Sequence, residues 1–350
     1  MGHCFAVMDV KCHEVTAVLA EWGKNDDYAL KGFCRTGSKG FQRGMVVDEA
    51  LATDSIARTL AKLKERTGKR IHEVYAGVSS TSVSITPSSG AVLLSRYGRE
   101  VSLQDIKKCV EISSTIKVPL EKEALHRIIR GFSIDGERQV KSPLNLEGVK
   151  LEAFVNVLTI SSSIVRNMAK CISQAGFIPG GFVFSGLASA LRVLAEDERQ
   201  KGTALLDISR DLTEVMLFRD GLLTECKVFP VGESDIHLEG SGIDRKELEK
   251  LAHQIVSLAA WPKINKIVLI GRAALMEEMV EKLENIFKIP TTVGSCVAKP
   301  FEDLPAARSG YIASLGILDW LQEEKNRKRR EGNIIKRGFN RTLAFIDRYF

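Results

Sequence analysis

The sequence predicts an α/β fold built twice over, with a small α+β unit inserted into the first copy. Three observations carry that expectation. First, two short β-meanders share one layout: "CFAVMDV", "VTAVLA" and "YALKGFCR" near the start, then "TALLDIS", "LTEVMLF" and "LLTECKVFPVG" from residue 203. Second, the leading strand of each meander ends in an aspartate, Asp9 and Asp207. Third, strands and helices alternate after each meander, the pattern of sheets covered by helices.

In the first half, "VVDEALATDSIARTLAKLKERTG" predicts an amphipathic helix with Asp48 as N-cap and Gly68 at its end. "IHEVYAGV" predicts a buried strand. From about Ser82 to Thr159 the texture changes. "VSLQDIKKCVEISSTI" predicts one helix, and "LHRIIRGFSID" and "VKLEAFVNVLTI" predict strands at hairpin spacing. A helix "SSIVRNMAKCISQAG" follows, then "FIPGGFVFSGLASALRVL", a strand leading into a helix. After the second meander come a helix over Asp244–Leu258, a strand "INKIVLIG", a helix "AALMEEMVEKLENIF", a short "PTTVG" and a closing helix over Arg308–Trp320.

A chain of 350 residues, 44% hydrophobic and 27% charged, has room for two or three domains and the composition of a globular protein. Seven cysteines without a C-x-x-C pair argue for reduced thiols rather than zinc or a disulfide framework. Six histidines with no H-x-x-x-H or HExxH pair indicate no metal site. His13 with Glu14, and His253, therefore read as surface or structural. The first residues lack a basic segment and a cleavage site, Ala6 breaks the myristoylation pattern, and no stretch reaches the roughly 20 apolar residues of a membrane span. Net charge is +6, but residues 321–350 hold nine Lys/Arg against four acids, which leaves +1 for the body. A nucleic-acid-binding face is not supported.

The last seventeen residues, "IIKRGFNRTLAFIDRYF", are strongly patterned. At 100° per residue Ile335, Phe339, Leu343, Ile346 and Phe350 share one face, with Thr342 beside them and Tyr349 on the flank. Arg337, Arg341 and Arg348 fall opposite, and Lys336 can snorkel. Such a helix, about 25 Å long, suits a bilayer surface rather than its interior. Residues 321–333 read as a basic, flexible linker, and each Lys/Arg near anionic lipid adds about 1 kcal/mol. The other reading is a helix docked on the body.

Several stretches resemble one family: "GFQRGMVVDEA", "EVYAGVSS", "HRIIRGFSIDGERQVKSPLNLEGVKLEAFVNVLT", "FSGLASALRVLAEDERQKGTALLDIS" with "VFPVG", and "KIVLIGRAALMEEMVEKLENIFKIPTTVG". In that order, over nearly the whole chain, they resemble the bacterial actin-like cell-division family FtsA. The pilus-assembly protein PilM shares the general plan. The resemblance implies a duplicated actin-like (ribonuclease-H-like) fold. Subdomain 1A would comprise residues 1–81 and 161–200, the inserted subdomain 1C residues 82–160, and the second half residues 201–320. Subdomain 2B would be reduced to about 233–264. It further implies a scaffold on the cytoplasmic face of the cell membrane at the division site. Its partners would be anionic inner-membrane lipids, FtsZ or other division proteins, and further copies of itself.

The family's nucleotide motifs are altered here. The first phosphate loop, about Asp-x-Gly-Thr-Ser-Lys, is Asp9-Val10-Lys11-Cys12-His13-Glu14. The second, about Asp-x-Gly-Gly-Gly-Thr, is Asp207-Ile208-Ser209-Arg210-Asp211-Leu212. The adenosine motif is Gly271-Arg272-Ala273-Ala274. Side chains stand where glycine lets backbone N–H groups approach phosphate, and Glu14 and Asp211 repel a polyanion. Either Lys11 and Arg210 restore phosphate binding by charge, with ATP and magnesium as cofactors, or they are ordinary solvated or ion-paired side chains. The glycine- and base-rich "TGSKGFQRG" lacks P-loop spacing and reads as a connector. The expectation is a scaffold without ATP hydrolysis; the shortened 2B also puts the family's FtsZ contact in question.

Overall fold

The computed structural model describes residues 4–23, 27–115, 118–137, 140, 142–238, 242–295 and 310–336, with side chains to residue 326 in the last segment. Two five-stranded sheets repeat one topology. In the first, the order is Ile178–Phe184, Glu73–Val78, Cys4–Val10, Glu14–Trp22, Tyr28–Gly37. In the second, reading from the opposite edge, it is Thr291–Val293, Lys266–Gly271, Thr203–Ile208, Thr213–Arg219, Leu222–Phe229. Each has an antiparallel meander on one side and parallel strands on the other. The strands that lead into the cleft, Cys4–Val10 and Thr203–Ile208, are buried almost throughout, which explains their continuous apolar runs.

The helix Glu49–Thr67 forms as its sequence predicts. The Asp48 carboxylate accepts the Leu51 N–H, and Gly68 closes the other end in the left-handed region at φ 63°. Ile56, Leu60 and Leu63 form its buried stripe. Inserted between Val78 and Ser162 is a three-stranded antiparallel sheet, ordered Ser84–Leu93, Lys150–Ser161, Lys122–Ile134, with the helix Leu103–Thr115 packed on it. Its edge strand "SITPSSGAVL" carried no clear period in the sequence. The strand tolerates Pro87 because it lies at the edge of its sheet.

Two elements differ from expectation. "AALMEEMVEKLENIF" is not one helix: a 3-10 turn, Ala273–Leu275, precedes the helix Met279–Phe287. Ala273 and Met279 are both fully buried, and Glu278 turns the chain at φ 62° to bring the second helix back onto the core. The flexible linker expected at 321–333 is also corrected: the closing helix runs unbroken from Ile312 to Lys336. "LQEEKNRKRRE" is made almost wholly of strong helix formers with acids ahead of bases.

That helix packs on the first half, against the helix Ser185–Val193 and the strands Cys4–Val10, Glu73–Val78 and Glu14–Trp22. One core includes Ile312, Leu315, Ile317 and Leu318 together with Met8 and Phe184 of the first sheet and Leu205 and Met216 of the second. Ser314 Oγ lies 2.8 Å from Thr16 Oγ1. Asp319 accepts from the Tyr28 hydroxyl at 3.0 Å and pairs with Arg192. Farther along, Lys325 Nζ sits 3.8 Å from the centroid of the Trp22 ring. Gly316 lets the helix meet the helix Ser185–Val193 backbone to backbone, since a Cβ there would lie 1.9 Å from the Ala188 carbonyl oxygen.

Candidate functional site

The Asp9 and Asp207 strands bring two tight turns face to face across the cleft. In the first turn Lys11 N–H donates to the Glu14 carbonyl at 2.9 Å; in the second, Ser209 N–H donates to the Leu212 carbonyl at 2.9 Å. No residue of either turn has a positive φ, so the non-glycine sequences adopt them without strain. Glycine's absence changes what fills the space between the turns, not their conformation.

Lys11 reaches across the cleft. Its ammonium donates to Ser209 Oγ at 2.8 Å and pairs with Asp207 Oδ2 at 3.3 Å, while Ser209 Oγ donates to Asp207 Oδ1 at 3.1 Å. Asp211 bridges in the other direction, its Oδ2 accepting the Arg43 N–H at 2.6 Å. Arg43 and Gly44, at φ 48° and 73°, form the left-handed tip of a hairpin between Phe41–Gln42 and Met45–Val46. A Cβ on Gly44 would lie 1.9 Å from the Ser79 carbonyl oxygen, so the tip is pinned at the cleft edge. "TGSKGFQRG", which reads as a plain connector, thus supplies one cross-cleft donor.

Below the turns lie buried acids. Asp9 accepts from Ser185 Oγ at 2.7 Å, and burial raises its carboxyl above the usual range. Glu214 stands opposite Asp207 in the strand register. Its Oε1 has no hydrogen-bond partner among the described residues, and burial, then the Asp207 charge, push the carboxyl up to about 8. Burial works against the charge on Lys11, but Asp207, Asp9, Glu214 and Glu14 together raise its pKa. Among the described residues no group of three or more His, Cys, Asp or Glu is placed to hold a metal ion.

The Glu214 shift sets a pH dependence. Its carboxyl titrates near 8 in the fold against an ordinary 4.5. Its contribution to stability is therefore complete below 4.5 and lost as pH rises through 8. Stability should fall from pH 6.5 to 8.5 in the native chain and fall less in Glu214→Gln, as urea titrations at stepped pH would record. The window lies above the ordinary 6.5 of His13, whose depressed pKa acts at lower pH.

The neighbouring groups carry no evident chemistry of their own. Burial, helped by Arg272, Lys11, Arg210 and Arg35, holds the His13 imidazole down to about 4, so it is neutral at pH 7. The Cys12 thiol, 3.8 Å from His13 Nδ1, is pushed up to about 12 by burial and Asp211, which leaves it protonated and a poor nucleophile. Glu14 is paired with Arg35.

Of the nucleotide-motif residues, Asp9, Lys11, Asp207, Ser209 and Gly271 meet in the cleft. Gly271, at φ 85°, is packed so closely that a Cβ would lie 2.3 Å from Asp207 Oδ1. Arg272 is turned to the rim and paired with Glu233 at 3.0 Å. Arg210 is exposed, and its guanidinium has no ion pair among the described residues. Glu214, Ser185 and Arg43 belong to the site but lie outside the motifs; an acid inside the apolar run "LTEVMLF" was the one sequence signal for Glu214. The Lys11 ammonium is paired with Asp207, and the Asp211 carboxylate is engaged by the Arg43 N–H.

The candidate membrane residues divide differently. Ile335 and Lys336 lie in the last turn of the described helix. Arg337, Phe339, Arg341, Leu343, Ile346, Arg348 and Phe350 lie outside the described residues. Among the described residues no helix is long and apolar enough to cross a membrane.

Residues 81–159, the inserted sheet and its helix, match the model of the SHS2 domain inserted in FtsA. The chain is 30% identical over 232 residues to the cell division protein FtsA of Borreliella burgdorferi, covering 66% of this chain and 56% of that one. It is 25% identical over 322 residues to FtsA of Bacillus subtilis, covering 90% and 71%. The chain is similar to FtsA proteins over most of its length. It spans little more than half the length of the Borreliella FtsA. Its fold is actin-like, duplicated, with the SHS2 insertion in the first half. Among solved structures it superposes on a chain of the PilM–PilN type IV pilus biogenesis complex with a TM-score of 0.61. That match has 16% identity and covers 90% of this chain and 97% of that one. A likeness at that identity concerns the fold alone.

Proposed function

We propose that this chain is an FtsA-family, membrane-attached, actin-like scaffold of the bacterial division site that works without hydrolysing ATP. In this reading it tethers or organises FtsZ-type filaments and recruits other division proteins. It sits on the cytoplasmic face of the membrane through residues 334–350 and associates with further copies of itself. The observation that carries the nucleotide half of the proposal is the Lys11 ammonium, bonded to Ser209 and Asp207 in the cleft. Calorimetric titration with ATP and magnesium should give no heat up to millimolar nucleotide. Micromolar, magnesium-dependent binding would overturn the proposal and give Arg210, with no ion pair among the described residues, the role of a phosphate ligand.

The membrane half rests on the amphipathic pattern of residues 334–350 and the basic run ahead of it. One such helix binds reversibly, so lasting attachment requires several tails on one assembly. Removing residues 334–350 should abolish pelleting with anionic liposomes. Undiminished pelleting would exclude the tail as anchor.

A further inference from the structure

The residues that replace the phosphate-loop glycines are not idle. Lys11 stands at the glycine of the first loop, and Ser209, Arg210 and Asp211 stand at the three glycines of the second. Three of these four make the bonds that cross the cleft: Lys11 to Ser209 and Asp207, and Asp211 to the Arg43 N–H. Drift alone would not be expected to leave substituted side chains from opposite halves bonded to one another.

The surroundings fit the same role. Asp207 and Glu214 face each other on adjacent strands of the second sheet, and Asp9 enters from the first. Bringing these strand ends together without a cation would leave the buried Asp207 carboxylate without a counter-charge beside two further acids. In a nucleotide-dependent cleft the cation arrives with the ligand. Here the chain carries its own on Lys11. Glycine at 232 and 271 lets the backbone close tightly around the second turn. A Cβ at Gly232 would lie 2.4 Å from Arg210 and Asp211 backbone atoms, and one at Gly271 2.5 Å from the Ile208 carbonyl oxygen. Away from the turns, the inserted subdomain makes a third tie, Asn156 Nδ2 donating to the Leu223 carbonyl at 3.2 Å in a buried contact.

We infer that the altered turns form a ligand-independent clasp, with the Lys11 ammonium in place of a nucleotide-borne cation, which keeps the two halves closed at all times. The inference rests on the proposal that the chain works without nucleotide and adds how its conformation is set. A nucleotide-gated relative would open and close with its ligand; this chain has one state, and its regulation must enter through partners or the membrane.

Hydrogen exchange of the full chain, followed by mass spectrometry, tests the clasp. Peptides covering residues 7–16, 40–47 and 207–216 are compared in the native protein, Lys11→Met and Asp211→Ala, each with and without millimolar ATP and magnesium. The clasp requires slow exchange in the nucleotide-free native chain, no change on adding ATP, and about tenfold faster exchange in these peptides in either variant. Peptides from Lys122–Ile134 should be unaffected. Native loops that exchange as fast as the variants' would overturn the clasp while leaving nucleotide independence intact. Native loops slowed by ATP and magnesium would overturn both. Asp211 is only partly buried, so its variant keeps the test decisive if Lys11→Met does not fold.

Discussion

Gly316→Val is expected to destabilise the chain by about 3 kcal/mol, the upper end for an overpacked core. The strain would have no easy outlet. A Cβ at 316 meets the backbone of Ala188, its oxygen at 1.9 Å and its carbon at 2.4 Å, rather than the end of a mobile side chain. To admit a valine the helices Ile312–Lys336 and Ser185–Val193 must separate, which opens the core shared by both sheets. Urea titration would show the loss as a lower midpoint, and near-ultraviolet circular dichroism would show Trp320 leaving its edge-on contact with His126. Native stability in Gly316→Val would mean that the closing helix does not pack where it is placed.

Lys11→Met is expected to cost a similar amount, about 3 kcal/mol, for a different reason. Methionine keeps most of the apolar stem of the side chain and removes the ammonium, with its charge and its donor to Ser209. What remains is Asp207 with Glu214 and Asp9 nearby and no cation bonded to it. The penalty therefore belongs to the Asp207 carboxylate left without its cation, and a second change should return part of it: Lys11→Met with Asp207→Asn should be more stable than Lys11→Met alone. If the double variant loses the sum of both single losses, the two groups do not act on one another and the proposed clasp fails with them.

The duplicated plan was legible because the leading strand of each meander, Cys4–Val10 and Thr203–Ile208, is buried on two faces and must be written in continuous apolar residues. The helix Glu49–Thr67 was legible for a local reason: Asp48 and Gly68 terminate it by their own chemistry. The course of residues 321–333 was misread because a run of charges is compatible with either a solvated coil or a helix, and the choice falls to the anchored segment before it. In the site, Asp9, Lys11, Asp207 and Ser209 could be named from motif positions. Their bonds could not, since Lys11 and Asp207 are 196 residues apart and only the packing of the two halves makes them neighbours. Arg43 was out of reach for a second reason: it contributes a backbone N–H, which any residue but proline provides.

The unbroken closing helix also has a mechanical consequence. From Gly316, wedged against Ala188, to Lys336 the chain forms a stiff arm about 30 Å long. A slack tether would leave the body free to tumble above whatever its end is fastened to. An arm fixed at its root converts sideways force at the tip into torque. That torque is delivered to Leu315 and Leu318, buried in the core that also holds Met8 of the first sheet and Leu205 of the second.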